Sequence, residues 1–391
     1  MSNRPAAHLQ NYAKTDAVTA LGRYRVLSPH ASIRVSPIQL GAMSIGTEWG
    51  AGMGEMTKES SFKLMDAYYE AGGNFIDTAI NYQNNTSEQL IGEWMELRGN
   101  RDQMVIATKF SSPWKRHDTS VAQKIHYLGN GPKNQLLSVN ASLKHLRTTY
   151  IDLLYVHWYD WETSIEELMN SLHNLVVAGK VLHLGISDSP AWVVSRANQY
   201  ALDHGKTPFC IYQGQWNLTK RAFEREIIPM AREMGLALAP WDVLCGGRLR
   251  SDAEEEARRQ NPQGARTGFT QDGKWERNED EKKVSQALEK VATEVGAKSI
   301  QAVAIAYHLQ KTPYVFPVLG GRRVENLLKN IEALTISLSK EQMAYLESAL
   351  PFDIGFPHWM VGNGTEPIGM IASTCPVDKW PVQEPIKPVN L

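Results

Sequence analysis

Ile151-Asp-Leu-Leu-Tyr-Val-His157, then Ser164-Ile-Glu-Glu-Leu-Met-Asn-Ser-Leu-His-Asn-Leu-Val-Val-Ala178, then Val181-Leu-His-Leu-Gly-Ile-Ser187 reads as one strand–helix–strand unit. The outer runs are short and nearly continuous in apolar residues, as strands buried on both faces of a parallel sheet are. The segment between them carries apolar residues at helical spacing. Working outward, the same kind of run recurs at Ile38–Gly41, Phe75–Ala79, Met104–Phe110, Phe209–Trp216, Leu236–Trp241 and Tyr314–Leu319, giving eight in all. Helical patterns stand between them at Glu59–Ala71, Leu136–Leu146, Ala191–Leu202 and Ser299–Leu309, the first stopped by Gly72-Gly73. Strict alternation over eight units predicts an α/β fold, a (β/α)8 TIM barrel with right-handed crossovers. A doubly wound sheet would carry a glycine-rich fingerprint after its first strand, and Gly41-Ala-Met-Ser-Ile-Gly46 does not match G-x-G-x-x-G.

The chain has 391 residues, with 42% hydrophobic and 21% charged side chains, which suits a soluble globular protein with a large core. A formal net charge of −1 and a pI near 6.8 give no basic footprint for nucleic acid or anionic lipid. Cys210, Cys245 and Cys375 are odd in number and far apart, so neither a disulfide framework nor a metal-ligand pair is expected. Met1–Thr19 has no apolar core of a secretory signal, and no run reaches membrane-spanning length, so a cytoplasmic setting is expected.

Three segments lie outside the repeat. Residues of about 22–37 read as an N-terminal lid hairpin, with Tyr24-Arg25-Val26 and Ile33-Arg34-Val35 around a Ser-Pro turn. Gly246–Asp280 is polar and reads as a long loop after the seventh strand. Pro351–Leu391 is proline-rich and reads as a tail laid over the barrel, with aromatic anchors at Phe352, Phe356, Trp359 and Trp380. The expected organisation is one barrel domain over 1–350 with the tail 351–391 packed on it.

In such a barrel the C-terminal ends of the strands share one face, where chemistry occurs. Asp77, Lys109 and His157 lie at strand ends, and Tyr82 follows Asp77 in a loop. Each alone has an ordinary explanation: a capping carboxylate, a solvated ammonium, a satisfied core histidine. Together and in order they suit carbonyl reduction. A tyrosine can give the proton, although an unperturbed phenol titrates near pH ~10. A neighbouring ammonium, Lys109 held by Asp77, is expected to lower that value. His157 can fix the carbonyl oxygen, and the hydride has to come from a cofactor.

Asp77-Thr-Ala-Ile-Asn-Tyr82, Thr108-Lys109, Asp152-Leu-Leu-Tyr-Val-His157-Trp158 and Gly179-Lys-Val-Leu-His-Leu-Gly185-Ile-Ser187 resemble the aldo-keto reductases, over about Ser36–Leu338. The resemblance implies that Asp77, Tyr82, Lys109 and His157 match that family's catalytic tetrad. A closer resemblance, to fungal aryl-alcohol dehydrogenases and norsolorinic acid reductases, rests on Val35-Ser-Pro-Ile-Gln-Leu-Gly-Ala-Met-Ser-Ile-Gly46, Trp158-Tyr-Asp-Trp161, Pro240-Trp-Asp-Val-Leu-Cys-Gly-Gly-Arg-Leu249 and the tail.

The resemblance also implies a nicotinamide site without a Rossmann fingerprint. Ser187, Asp188 and Gln213 match the carboxamide-binding positions, Asp188 standing where the family usually carries Asn. Trp241 matches an aromatic ring stacked on the nicotinamide, with Met43 and Ser44 near it. Asp242, Val243, Leu244, Cys245 and Gly246 match a loop along the pyrophosphate; Asp242 replaces the usual serine and is electrostatically unexpected there. Arg248 or Arg266 is expected to neutralise the diphosphate. Gly320 and Gly321 before a helix start resemble an anion site. Arg322, helped by Arg323, is expected at a 2′-phosphate, with Asn326 and Asn330 reaching the adenine, which favours NADP(H).

Trp49, Tyr82, Trp114, His157 and Trp158 are expected to bind substrate, with Tyr159, Trp161 and Trp359 also at the mouth. Flat aromatic faces suit aryl aldehydes and benzylic alcohols. The sequence leaves open another carbonyl substrate, a polyketide or a sugar, and a slowly turning NADPH-sensing subunit. A metal-dependent barrel enzyme would need clustered ligands, and Lys109 opposes a cation. Reaction direction is open, as is the choice between monomer and homodimer.

Overall fold

The computed structural model describes residues 15–260 and 274–388. An antiparallel hairpin, β1 (Arg25–Ser28) and β2 (Ala31–Val35), precedes eight barrel strands: β3 (Gln39–Gly41), β4 (Phe75–Asp77), β5 (Val105–Phe110), β6 (Ile151–Val156), β7 (Val181–Ser187), β8 (Phe209–Gln215), β9 (Ala237–Trp241) and β10 (Val318–Gly320). The main helices are α1 (Lys58–Glu70), α2 (Thr86–Arg98), α3 (Pro132–His145), α4 (Ile165–Val177), α5 (Ala191–Asp203), α6 (Phe223–Glu233), α7 (Asp252–Gln260), α8 (Glu279–Val295), α9 (Ile300–Lys311), α10 (Val324–Ile331) and α11 (Lys340–Ser348). The strands pair in parallel in the order β10-β3-β4-β5-β6-β7-β8-β9. A bridge between Leu238 and Val315 brings the two ends together, giving the expected (β/α)8 barrel.

The last strand is shorter than its apolar run. Pro317 has no N–H to give to a ladder. Tyr314–Phe316 instead bonds to Leu238 of β9, while the Pro317 carbonyl accepts from Gln39 at 2.9 Å and hands the chain to β3.

The two-residue period of a strand sorts the core into two layers. On β5, Ile106 and Phe110 face the helices, whereas Val105 and Ala107 belong to the barrel interior. On β6, Leu154 and Val156 face out, and Leu153 and Tyr155 face in. Asp77, Lys109 and His157 continue the inward parity of Phe75, Ala107 and Tyr155. Outside, α4 is representative. The Ser164 side chain accepts from the Glu167 N–H at its start, a cap worth about 1 kcal/mol, and Ile165, Leu168, Met169, Leu172 and Leu175 form its buried stripe.

The hairpin is not a lid over the face that carries these polar residues. Leu27, Ala31 and Val35 pack with Phe75, Val105, Leu153, Ile211, Ala237 and Phe316, which plugs the N-terminal end of the barrel. That end needs apolar cover because the inward side chains of the strand starts are apolar.

Nor is the whole of Gly246–Asp280 a loop. Asp252–Gln260 is helical, with acids in its first turn and arginines in its last, as the helix dipole favours. It has too few apolar residues for periodicity to reveal it. Buried Arg277 holds it, through Glu255 at 2.5 Å and Asp252 at 2.6 Å.

The tail runs along the outer face of α6 and is held mainly by polar contacts. Arg225 donates to the Asp353 carbonyl at 2.7 Å, Arg232 to that of Asn363, and Lys387 to that of Leu338. Arg221 and Arg225 each lie 4.8 Å from the Phe352 ring centre, so this aromatic is an anchor. Phe356, Trp359 and Trp380 are 74%, 69% and 92% exposed and are not. No helix among the described residues is long and apolar enough to cross a membrane.

Candidate active site

The inward parity of three strands meets in one charged layer. Lys109 Nζ donates to Asp77 Oδ1 at 2.6 Å and to the Thr78 carbonyl at 2.8 Å. Gln213, on β8, donates to Asp77 Oδ2 at 2.9 Å. Asp77, Lys109 and Gln213 are all buried. A buried ion pair is tolerable only when its remaining oxygens and protons are also satisfied, and here Gln213 and Thr78 do that. One of the two Gln213 amide N–H groups is thereby given to Asp77.

Tyr82 stands above this layer, with Lys109 Nζ 5.1 Å from its ring centre. Trp49 and His157 meet the Tyr82 ring edge-to-face, at 6.1 and 5.9 Å between centres. The loop that sets Tyr82 was not visible as a functional element in the sequence. Gln83, Asn84 and Asn85 all have positive φ (49°, 52° and 80°), a conformation tolerated best by asparagine among non-glycine residues. Side-chain bonds hold it. Gln83 donates to the Met43 carbonyl and accepts from the Trp49 N–H, Asn84 accepts from the Trp49 indole, and Asn85 donates to the Ile80 carbonyl. The only hint is the run of amide side chains, Gln-Asn-Asn, which turn positions favour.

Electrostatics differ from expectation at Tyr82. Burial raises its pKa, the Lys109 ammonium pulls it down, Asp77 raises it again, and the net is above the ordinary phenol value. The anticipated lowering is therefore not met: burial outweighs the ammonium, and Tyr82 is a neutral phenol at pH 7. Burial works against the Lys109 ammonium too, but Asp77 and Tyr82 outweigh it and hold its pKa up. His157 is pushed down to about 3, by burial and then by Lys109, so its ring is neutral. Ser112 Oγ lies 3.1 Å from His157 Nδ1 and accepts from the Trp158 indole N–H at 3.1 Å. Ser111 accepts from Asn130 and from the His157 N–H. These two serines follow Lys109-Phe110, and no spacing marked them.

Of the residues expected to face substrate, Trp49, Tyr82, His157 and Trp158 adjoin one another. Trp114 does not join them. It is buried, its indole N–H donates to Asn134 at 3.1 Å, and its ring packs on Tyr127. Trp359 is also elsewhere, beside His358, which lies 3.5 Å from Glu226 of α6. Tyr159, Trp161 and Trp192 form a ladder at the strand ends, with ring centres 5.5 and 6.1 Å apart.

The expected cofactor residues fall into two groups. Ser187 ends β7 and Asp188 follows it, and Trp241 ends β9, its indole donating to Asp188 at 3.0 Å. Burial raises Asp188 to about 6, against the pull of Trp241, Ser187 and Lys109. Asp242 has φ 61°, and its carboxylate is turned onto the amides of Gln215 and Asn217 at 2.8 and 3.2 Å. That pairing explains how an acid is accommodated in this loop. Val243 and Cys245 pack into the core, and the Cys245 and Gly247 N–H groups close turns onto Asp242 and Leu244. Leu244 is partly buried, and a side chain at Gly246 would meet open space. Arg248 is not poised over a diphosphate: it pairs with Glu281 at 2.8 Å, close to the start of α8. Arg266 lies outside the described residues.

At the other end, Ser44 donates to the Gly321 carbonyl, tying the loop after β3 to the loop after β10. Gly320 is exposed, and nothing stands within 4 Å of where a Gly321 Cβ would be. The Arg322 guanidinium lies against Gly54, whose Cβ would fall 1.7 Å from it; with φ +74° there, glycine is required twice over. Asn326 and Asn330 sit one turn apart on α10. The sequence reading missed Arg258, on α7. Burial and then Arg323 lower its pKa, Glu254 raises it, and Arg322 lowers it again, so Arg258 lies in the field of two further guanidinium groups and of an acid on its own helix. Such a cluster, beside an open glycine turn and a helix start, fits an anionic phosphate.

A parallel barrel with this charged layer at its C-terminal face defines an aldo/keto reductase, and the family model for the Aldo/keto reductase family matches residues 37–351. The chain belongs to that family. Among its relatives, an aryl-alcohol dehydrogenase [NADP(+)] of Phanerodontia chrysosporium is 58% identical, covering 95% of this chain and 97% of the relative. A putative aryl-alcohol dehydrogenase of Saccharomyces cerevisiae is 55% identical over 88% and 91% of the two chains. Norsolorinic acid reductase stcV of Emericella nidulans is 50% identical over 86% and 84%.

Proposed function

We propose that this aldo/keto reductase is an NADP(H)-dependent oxidoreductase that interconverts aromatic aldehydes and benzylic alcohols, with Tyr82 as the proton-exchanging residue. The observation that carries the reading is the Asp77–Lys109 pair, 2.6 Å apart, beneath a Tyr82 ring flanked by Trp49 and His157. When bound, a reduced nicotinamide would supply the hydride that reduction of the carbonyl carbon needs. Tyr82 Oη gives its proton to the carbonyl oxygen, which completes the alcohol. Lys109 stabilises the phenolate left behind, Asp77 and Gln213 hold Lys109, and solvent restores the proton. His157 orients the carbonyl oxygen. In the oxidative direction the same oxygen of Tyr82 takes the proton.

Ser187, Asp188 and Trp241 are suited to the nicotinamide, and Arg322, Arg323 and Arg258 to the 2′-phosphate, with Asn326 and Asn330 towards the adenine. The loop Asp242–Gly246 would run beside the diphosphate, with the Asp242 carboxylate hydrogen-bonded by the Gln215 and Asn217 amides. The aryl-alcohol dehydrogenases among the relatives support the substrate class. So do the aromatic rings around Tyr82, whose flat faces complement a benzylic ring. A second reading, reduction of a larger fused-ring ketone, is favoured by the outward ladder Tyr159–Trp161–Trp192, whose last two members are 65% and 56% exposed.

The test follows NADPH absorbance with a methoxylated benzaldehyde, a fused-ring aromatic ketone, a simple sugar and an aliphatic aldehyde. Fastest oxidation with the benzaldehyde is expected. Preference for the fused-ring ketone would favour the second reading, and preference for the sugar or the aliphatic aldehyde would sink both.

A further inference from the structure

Ser112 sits at the junction of two side chains that flank the reacting position. Its Oγ is 3.1 Å from His157 Nδ1 and 3.1 Å from Trp158 Nε1, and the residue is buried. An indole nitrogen only donates, so the Ser112 oxygen accepts from Trp158. A serine hydroxyl has one proton of its own, and in a buried position that proton needs an acceptor. Ser111, the neighbouring hydroxyl, already receives Asn130 Nδ2 at 2.8 Å and the His157 N–H at 3.2 Å. Among the described residues, His157 Nδ1 is the acceptor that the Ser112 hydroxyl reaches.

We infer that Ser112 is a positioning residue that fixes His157 as the Nε2–H tautomer, so that the histidine presents a donor to the carbonyl oxygen. The ring is neutral because burial and the Lys109 ammonium keep it from taking a second proton. A neutral imidazole carries its one proton on either nitrogen, and the bond made by one nitrogen decides what the other offers. If Ser112 donates to Nδ1, the ring proton stands on Nε2. In the opposite tautomer Nδ1–H would donate to Ser112, the serine proton would have no acceptor, and Nε2 would turn a lone pair towards the lone pairs of the carbonyl. Trp158 strengthens the first arrangement: its N–H, donated to Ser112 Oγ, polarises the serine hydroxyl as a donor. The chain Trp158–Ser112–His157 thus converts a loop contact into a directed hydrogen bond at the substrate. The role at the carbonyl rests on the aldehyde-reductase reading above, whereas the tautomer itself is a property of the protein alone.

The experiment is two-bond ¹H–¹⁵N correlation on histidine-labelled protein at neutral pH, with His157 assigned by its disappearance in His157→Gln. The expected pattern is an unprotonated Nδ1 and a protonated Nε2. Ser112→Ala should shift or mix that pattern, and Ser112→Thr, which keeps the hydroxyl, should restore it. With an aromatic aldehyde, Ser112→Ala should lose at least about tenfold in kcat with little change in KM. That falls short of the roughly 10²–10³ cost of deleting a transition-state donor, and Ser112→Thr should recover most of it. A protonated Nδ1 in the unmodified protein overturns the inference without any variant. So does a Ser112→Ala protein whose His157 pattern and kcat match the parent. The NMR pattern is read without substrate. Failure to turn over any aromatic aldehyde would therefore refute the proposed substrate, while the tautomer would still be decided.

Discussion

Gln213 reaches across the barrel from β8 to β4 and donates to Asp77 Oδ2 at 2.9 Å, on the opposite carboxylate oxygen from the one that receives Lys109. Asp77 is thus clamped from two sides, and the position of the ammonium depends on an amide 136 residues away in sequence. Gln213→Leu keeps the bulk and removes the donor, leaving a buried acceptor short of a partner. The expected loss is about 1–3 kcal/mol. Asp77→Asn strands a buried ammonium instead, and should cost more, about 3–5 kcal/mol. Urea unfolding of both variants measures the order. A Gln213→Leu protein as unstable as Asp77→Asn would mean that the two contacts are not graded this way.

Tyr82→Phe should fold and bind NADPH as the parent does, yet lose about 10²–10⁴ in turnover, the usual contribution of a positioned proton donor. The pH dependence follows from the raised phenol. Reduction requires the protonated form, so its rate should hold through neutral pH and fall only above the ordinary phenol range near pH ~10. Oxidation needs the phenolate and should rise in that same range. A reductive rate that declined steadily from pH ~7 would contradict a phenol raised by burial.

Asp188 gives a stability signature of opposite character to that of a salt-bridged acid. Its pKa is raised from 3.8 to about 6 by burial. The folded protein therefore holds this proton more tightly than the unfolded chain, and stability from the group is fully present below the unfolded value and lost as pH rises through the folded one. The Asp188 side chain is exposed, so solvent screens much of the effect: Asp188→Asn, which cannot ionise, should match the parent in Tm at pH 3.8, gain only a small advantage as pH rises to about 6, and keep it above. Thermal melts of the two proteins across that window check the sign. A parent that is the more stable at neutral pH would show that the carboxylate is compensated.

The barrel was legible because its signal is a count: eight apolar runs interleaved with helical patterns. The polar layer was legible because Asp77, Lys109 and His157 fall at the ends of those runs. What was hidden has physical causes. The purpose of Gln83-Asn-Asn85 is a left-handed backbone, which no hydrophobic pattern records. Ser112 acts through two partners that sequence does not bring near it. Helix α7 has almost no apolar residues, so the approach of Arg258 to Arg322 and Arg323 is a product of tertiary placement alone. Arg248 failed as a phosphate candidate for the converse reason: its partner, Glu281, lies on α8, beyond the insertion. The hairpin was visible as a hairpin, but which end of a barrel it covers depends on the inward residues at strand starts.

The arginine cluster makes a discriminating prediction about the cofactor. Three guanidinium groups that repel one another should be relieved by a phosphate, and each charge-assisted bond is worth about 1.5–3 kcal/mol. Arg322→Ala and Arg258→Ala should each weaken NADPH binding by about 10- to 100-fold and leave NADH binding nearly unchanged, as fluorescence titration can measure. Equal losses for the two cofactors would remove these residues from the 2′-phosphate.

The tryptophans separate pocket from scaffold. Trp49 touches Tyr82 edge-to-face and hydrogen-bonds to the loop that holds it, whereas Trp114 is buried with its N–H committed to Asn134. Trp49→Phe keeps a ring against Tyr82 but loses the bond to Asn84, and Trp49→Ala loses both. KM for an aromatic aldehyde should therefore rise in steps, reaching about tenfold in the alanine variant (roughly 1.4 kcal/mol). Trp114→Phe removes one of two donors to the buried Asn134 oxygen, the other being the Ser138 hydroxyl, so it should lower stability by about 0.5–1.5 kcal/mol with KM unchanged. The two columns of data, KM and unfolding midpoint, distinguish the roles: a Trp114→Phe protein with normal stability and a raised KM would return Trp114 to the substrate pocket and mean that the ring swings out of its buried position to meet the ligand.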